Sequence, residues 1–208
     1  MLHNGDRRCH HGKSWPYGLF GIAVVNNDQR RVYVMGKRSD FEREKLDFYP
    51  TPMEAVTPLL PHLRANTKFC EPCAGAGDLA RHLEAHGHLC TSAFDVEPQN
   101  DSIWRNDASF MLPEDLKGAD VIITNPPWDR KPLHQIIERC SILAPTWLLF
   151  DADWMFTKQA KPYLRLCDMI VSVGRVKWIA DSPSAGKDNA CWYRFTPHFS
   201  MLTQFYNR

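Results

Sequence analysis

Lys68-Phe69-Cys70-Glu71-Pro72-Cys73-Ala74-Gly75-Ala76-Gly77-Asp78 decides how this chain folds. Phe69 to Glu71 reads as a short strand. Pro72 ends it, because proline has no N–H to give to a sheet ladder. Gly75 and Gly77 allow a tight turn and a close backbone approach to a ligand. Asp78 to His86 reads as a helix, closed by Gly87. The amides at the start of that helix have no partner within it and stay free to donate.

The alternation of strand and helix continues downstream. Leu89 to Phe94 reads as a strand ending at Asp95, Val121 to Thr124 as another, and Trp147 to Phe150 as a third ending at Asp151. Met169 to Val173 and Cys191 to Phe195 complete the set. His134 to Leu143 reads as a helix stopped by Pro145, and residues 159–166 as a further one. Apolar strands alternating with helices predict an α/β fold, a mostly parallel sheet covered on both faces. Upstream, Thr51 is the expected N-cap of a short or kinked helix, with Pro52 at its first position. Gly18 to Val25 and Arg31 to Met35 flank Asn26-Asn27-Asp28-Gln29 and predict a β-hairpin, followed by a charged connector to residue 46.

A chain of 208 residues with 44% hydrophobic and 24% charged content is that of one ordinary globular domain with trimmings. It contains no apolar run long enough to span a bilayer, and its first residues are no signal peptide, so a cytoplasmic setting is expected. Of the seven cysteines, Cys70, Cys90, Cys167 and Cys191 have apolar neighbours, and reduced, buried thiols are expected. Cys70 and Cys73 have redox or zinc spacing, but no second pair completes a ligand set, so no metal is expected. Charge is unevenly spread. Residues 1–46 hold nine basic and five acidic residues, a net of +4, and the remainder 16 and 19, a net of −3. A basic arm on a slightly acidic body is compatible with a polyanionic partner.

Three features carry chemistry. Asn125-Pro126-Pro127-Trp128 follows an apolar strand, and its two prolines make a stiff corner that presents an amide, carbonyls and an indole. Such a corner suits a planar substrate bearing an amine. Asp95, at a strand end, can accept from two ribose hydroxyls in the crevice at the sheet's carboxyl edge. Asp107 can accept from an exocyclic adenine amine.

In this order the segments resemble a class I S-adenosylmethionine-dependent methyltransferase of the amino-methylating type. The chain is most similar to small adenine-N6 DNA methyltransferases, including compact ones carried by bacteriophages and prophages. The resemblance covers roughly residues 47–196. It implies a Rossmann-like sheet with an antiparallel strand near the C-terminus, and the gamma order of motifs, with cofactor segments before the catalytic one. S-adenosylmethionine would be held by Thr51 and Pro52 at its methionine end, by Glu71, Pro72, Cys73, Ala74, Gly75 and Gly77, by Asp95 with Val96, by Asp107, and by Asn125. Asn125, Pro126, Pro127 and Trp128 would be the catalytic segment. The expected division is a basic extension over 1–46 and a catalytic domain over 47–208, in a bacterial or phage-infected cell.

The chemistry fits that reading. An adenine N6 lone pair is delocalised into the ring and is a poor nucleophile. Acceptors on both amine hydrogens, the Asn125 side-chain oxygen and the Pro126 carbonyl, would draw the nitrogen toward sp3 geometry. A base within a duplex must first be flipped out, and the Trp128 indole would stack on it. Asp151, Lys187 and Asn189 are further candidates for substrate contact. Trp192 is a candidate second wall, although the alternation of residues 191–195 equally fits core packing. DNA is the expected partner, with RNA or a protein glutamine as other acceptors of the same chemistry. A non-catalytic cofactor-binding module is the alternative from a different class.

Overall fold

The computed structural model describes residues 48–179 and 185–208. The hairpin expected over residues 18–35 and the rest of the basic extension over 1–46 lie outside these. Among the described residues there are eight strands: β1 (Lys68–Glu71), β2 (Leu89–Asp95), β3 (Trp104–Arg105), β4 (Val121–Thr124), β5 (Thr146–Asp151), β6 (Cys167–Arg175), β7 (Asn189–Phe195) and β8 (Gln204–Tyr206). They form one sheet in the order β3-β2-β1-β4-β5-β7-β6-β8. Only β7 runs antiparallel to its neighbours, pairing Thr146 with Phe195 and Asp151 with Ala190. The chain therefore winds outward from β1 to β3, then returns to lay β4 on the other side of β1. Helices α1 (Met53–Val56), α2 (Asp78–Ala85), α3 (Arg130–Leu143) and α4 (Lys161–Leu164) join or flank the strands.

Successive side chains of a strand point to opposite faces, and the two halves of the core follow that rule. Ile122, Leu148, Phe150, Tyr193 and Phe195 face α3, whose Leu133, Ile136, Ile137 and Cys140 recur at helical spacing along one stripe. Val121, Ile123, Trp147, Leu149 and Trp192 face the other way, onto Ala55 and Val56 of α1 and Leu79, Ala80 and Leu83 of α2. The sheet is thus covered on both faces, as the alternation of elements requires.

Four local expectations are corrected. Thr51 is not the N-cap of α1: Pro52 occupies that position, and no side chain caps the helix. α3 begins at Arg130, one turn earlier than predicted, because Pro132 falls in the first turn where its missing N–H costs nothing. Residues 159–166 hold only the single turn α4 after a 3-10 turn over Lys158–Ala160. Trp192 is fully buried, and its indole N–H donates to the Ala55 carbonyl at 2.8 Å. That placement removes it from any substrate wall and makes it the peg that fastens α1 to β7.

The Trp192 bond joins two fully buried groups. In Trp192→Phe the Ala55 carbonyl stays buried without its donor, at a cost of about 1–3 kcal/mol. Urea denaturation is expected to show a lower midpoint with an unchanged slope.

Candidate functional site

Because β1 and β4 are adjacent but feed opposite halves of the sheet, their carboxyl ends diverge and leave a crevice. A cavity of about 550 Å³ fills it, within the range typical of small-molecule sites. Its walls come from the glycine loop (Glu71 to Ala76), the end of β2 (Asp95, Val96), the turn at Asp107, the corner at Asn125 and Pro127, and the segment Phe48 to Thr51.

The glycine loop is held from three sides. Gly75 adopts φ 52° and Gly77 φ 83°, conformations that favour glycine. The Gly75 N–H donates to Asp95 Oδ2 at 2.8 Å, and the Ala74 N–H to the Phe94 carbonyl at 3.0 Å. The Cys73 N–H donates to Thr124 Oγ1 at 3.2 Å. Asp95 Oδ1 accepts from the Glu97 N–H at 2.8 Å, so both carboxylate oxygens already brace backbone. Asp107 caps its own turn by accepting from the Ser109 N–H at 2.8 Å. A Cβ at Gly75 would lie 2.5 Å from the Phe48 ring. An aromatic side chain therefore sits flush on the loop.

The proline corner opens on the same cavity. Asn125 Nδ2 donates to Thr51 Oγ1 at 3.2 Å, and Asn125 Oδ1 accepts from Trp128 Nε1 at 3.4 Å. Of the predicted residues, Thr51, Glu71, Pro72, Cys73, Ala74, Gly75, Asp95, Val96, Asp107, Asn125 and Pro127 line the cavity. Pro52, Gly77, Pro126 and Trp128 are not among its described lining residues. Gly77 precedes α2, Pro126 is buried, and the Trp128 ring meets Trp178 edge to face. Asp151 lies at the same sheet edge, where it caps the turn over Ala152–Phe156 and pairs with Arg130 at 3.6 Å. Lys187 and Asn189 are exposed near the start of β7, also at that edge.

Phe48, Tyr49, Glu97, Gln99, Asp129 and Gln135 also line the cavity and were not foreseen. The signal for the first two was available: an aromatic pair directly before Thr51-Pro52.

The electrostatics are one-sided. Glu71, Asp78, Asp95, Glu97, Asp107 and Asp129 face the cavity, and no Lys or Arg is among its described lining residues. Burial holds the Glu71 carboxyl well above its usual range, Asp78 and Asp95 reinforce the shift, and its Oε2 has no partner among the described residues. Such a cavity repels the pyrophosphate of a dinucleotide and suits a cation that also offers hydroxyl and amine donors. S-adenosylmethionine meets that description, so the residues present fit it. The thiols take no part in this. Burial pushes Cys70 up to about 12 and raises Cys73 as well, which favours the protonated thiol in both.

No family model matches the chain, and no curated protein matches it in sequence. Among solved structures it is similar to a candidate RNA methyltransferase from Pyrococcus horikoshii, with TM-score 0.54 and 12% identity over 78% of this chain and 92% of that one. It is also similar to the M protein of the type I restriction enzyme EcoKI (TM-score 0.48, 12% identity, 74% of this chain and 46% of that one). A third is a candidate class I S-adenosylmethionine-dependent methyltransferase from Listeria monocytogenes (TM-score 0.45, 12% identity, 74% and 62%). The chain spans about half the length of the EcoKI protein. The first likeness establishes the fold, a Rossmann-like methyltransferase fold.

Glu71 links the site to pH. An acid whose folded-state pKa is raised loses stability as pH climbs from its unfolded value, 4.5, through its folded value. Glu71→Gln removes that loss. The variant is expected to match the ligand-free wild type below pH 4.5. Above it the variant should gain on the wild type by about 1.4 kcal/mol per pH unit until the folded value is reached. Thermal melts across that range, showing no divergence, would contradict the assignment.

Proposed function

We propose that this protein transfers a methyl group from S-adenosylmethionine to the N6 amine of adenine in DNA. One observation carries the reading: the amide of Asn125 and the glycine loop open on one anionic cavity. When bound, the cofactor supplies an electrophilic methyl group on a positively charged sulfur.

The chain's own residues have distinct tasks in this reading. Asp95 and Asp107 accept hydrogen bonds from the ribose and adenine parts of the cofactor, and the Glu71 carboxylate offsets its positive charge. Phe48 and Thr51 close the methionine end. The Asn125 oxygen and the Pro126 carbonyl accept from the target amine, which turns the nitrogen lone pair toward the cavity. Asn125 Oδ1 already receives one hydrogen bond, and its second lone pair serves the acceptor. The double proline keeps these acceptors from reorganising during the reaction. No strong base is required, because a methylated, positively charged nitrogen is acidic and sheds its proton late.

The target base must leave its stack to reach the corner. Asp151, Lys187 and Asn189, at the rim of the sheet edge, contact the strand that delivers it. Residues 1–46 form a basic arm for the phosphate backbone, and residues 47–208 form the catalytic domain. In this reading the motif order is the gamma order and the chain is of the compact phage type.

Purified protein is incubated with labelled cofactor and DNA, RNA or protein. N6-methyladenine is expected in the DNA nucleosides; label in RNA or glutamine alone would reassign the acceptor. Asn125→Ala should lower kcat by about 10²–10³ while cofactor affinity stays within a few-fold. A separate measurement addresses the arm. Without residues 1–46, DNA binding should weaken and the slope of log K against log salt should flatten.

A further inference from the structure

An amide side chain can be turned over without changing its shape, and only its hydrogen-bond partners decide which end is oxygen. The acceptor role of Asn125 needs the oxygen in place. The Thr51 hydroxyl does not decide the matter, since a hydroxyl both donates and accepts. The Trp128 indole does, because its N–H can only donate. It lies 3.4 Å from Asn125 Oδ1, a long bond whose strength depends on the indole staying in position. Trp128 is half-buried and does not line the cavity.

Besides its packing against both halves of the core, Trp128 is held by an aromatic contact. The Trp178 ring meets it edge to face, with centroids 5.6 Å apart and planes at 90°, the arrangement that ring quadrupoles favour. Trp178 lies just beyond β6 on a segment fixed at two points. The Lys177 N–H donates to Glu54 Oε1 at 2.5 Å, which ties it to α1. The Gly186 N–H donates to the Val176 carbonyl at 2.8 Å, and a Cβ at Gly186 would lie 3.3 Å from the Trp178 ring. The contacts close a ring: Thr51 to Asn125, Asn125 to Trp128, Trp128 to Trp178, and Trp178 through Lys177 and Glu54 back to the helix that follows Thr51.

We infer that Trp178 is a positioning residue for methyl transfer: it fixes Trp128, whose N–H keeps the Asn125 oxygen, rather than its nitrogen, available to the acceptor amine. The inference rests on the transfer reaction proposed above. It gives Trp128 an orienting task distinct from stacking on the target base.

The test is a double-mutant cycle on single-turnover transfer to a DNA oligonucleotide. Trp128→Phe keeps a ring and removes the N–H; Trp178→Ala removes the brace. Each is expected to slow transfer about five- to tenfold, the scale of one lost hydrogen bond. The dissociation constant of the cofactor should stay unchanged, because neither indole lines the cavity. The combined variant should be no slower than the slower single one, since both changes disable the same bond. Trp178→Phe retains the ring contact and should recover most of the rate. Multiplied losses in the double variant would overturn the inference, as would a loss of cofactor affinity that parallels the loss of rate. If the wild type transfers no methyl group to DNA, the parent reading fails. If it transfers and the losses multiply, only the role of Trp178 fails.

Discussion

Strand β4 ends where its backbone runs out of donors, and the rest of the site depends on that stop. Pro126 and Pro127 cannot give N–H groups to a neighbouring strand, so the ladder closes at Thr124. Without them β4 could continue alongside β5, and the crevice between β1 and β4 would lose its open end. The stop also leaves Asn125 at the first position beyond the sheet, with Thr124 behind it. The Thr124 hydroxyl is fully buried and accepts from the Cys73 amide. A single turn therefore anchors the glycine loop through one residue and presents an amide to the cavity through the next.

Carboxylates divide into two kinds around that cavity. Asp95 and Asp107 are satisfied by backbone amides, which fixes their orientation and leaves lone pairs facing the crevice. Glu71 is buried with one oxygen unpartnered, and burying a lone charge is costly. The first kind is preorganised to accept from neutral donors. The second is an energetic liability in the empty fold and becomes favourable only when a positive group arrives. The site thus stores part of its affinity for a cation as a cost carried by the free protein.

Much of this was legible in the sequence, for reasons that can be named. The central strands are buried on both faces and read as apolar runs; the glycine turn and the double proline announce themselves by backbone constraint. Asp95 was legible because it ends a strand of known direction. What escaped had weak or non-local signals. β3 and β8 are two and three residues long and exposed, so neither burial nor period marks them. The first turn of α3 was hidden by Pro132, which breaks a helix anywhere except there. Trp192 alternates as a wall residue would, and only the position of Ala55, more than a hundred residues upstream, shows that its polar end is spoken for. Trp178 carried no signal, because its partner Trp128 lies fifty residues away.

The charge map constrains how a polyanion could use this site. Asp95, Glu97, Asp107 and Asp129 around the cavity oppose the approach of phosphates, while Asp78 is paired with Arg81 and burial holds Glu71 toward its neutral form; the −3 of the body works in the same direction. Attraction must come from elsewhere, and the +4 of residues 1–46 is the available source. A DNA backbone would then be held away from the cavity while an uncharged base crosses the rim. In the proposed reaction this separation serves selection: the neutral, planar part of a nucleotide can enter, and its charged part cannot.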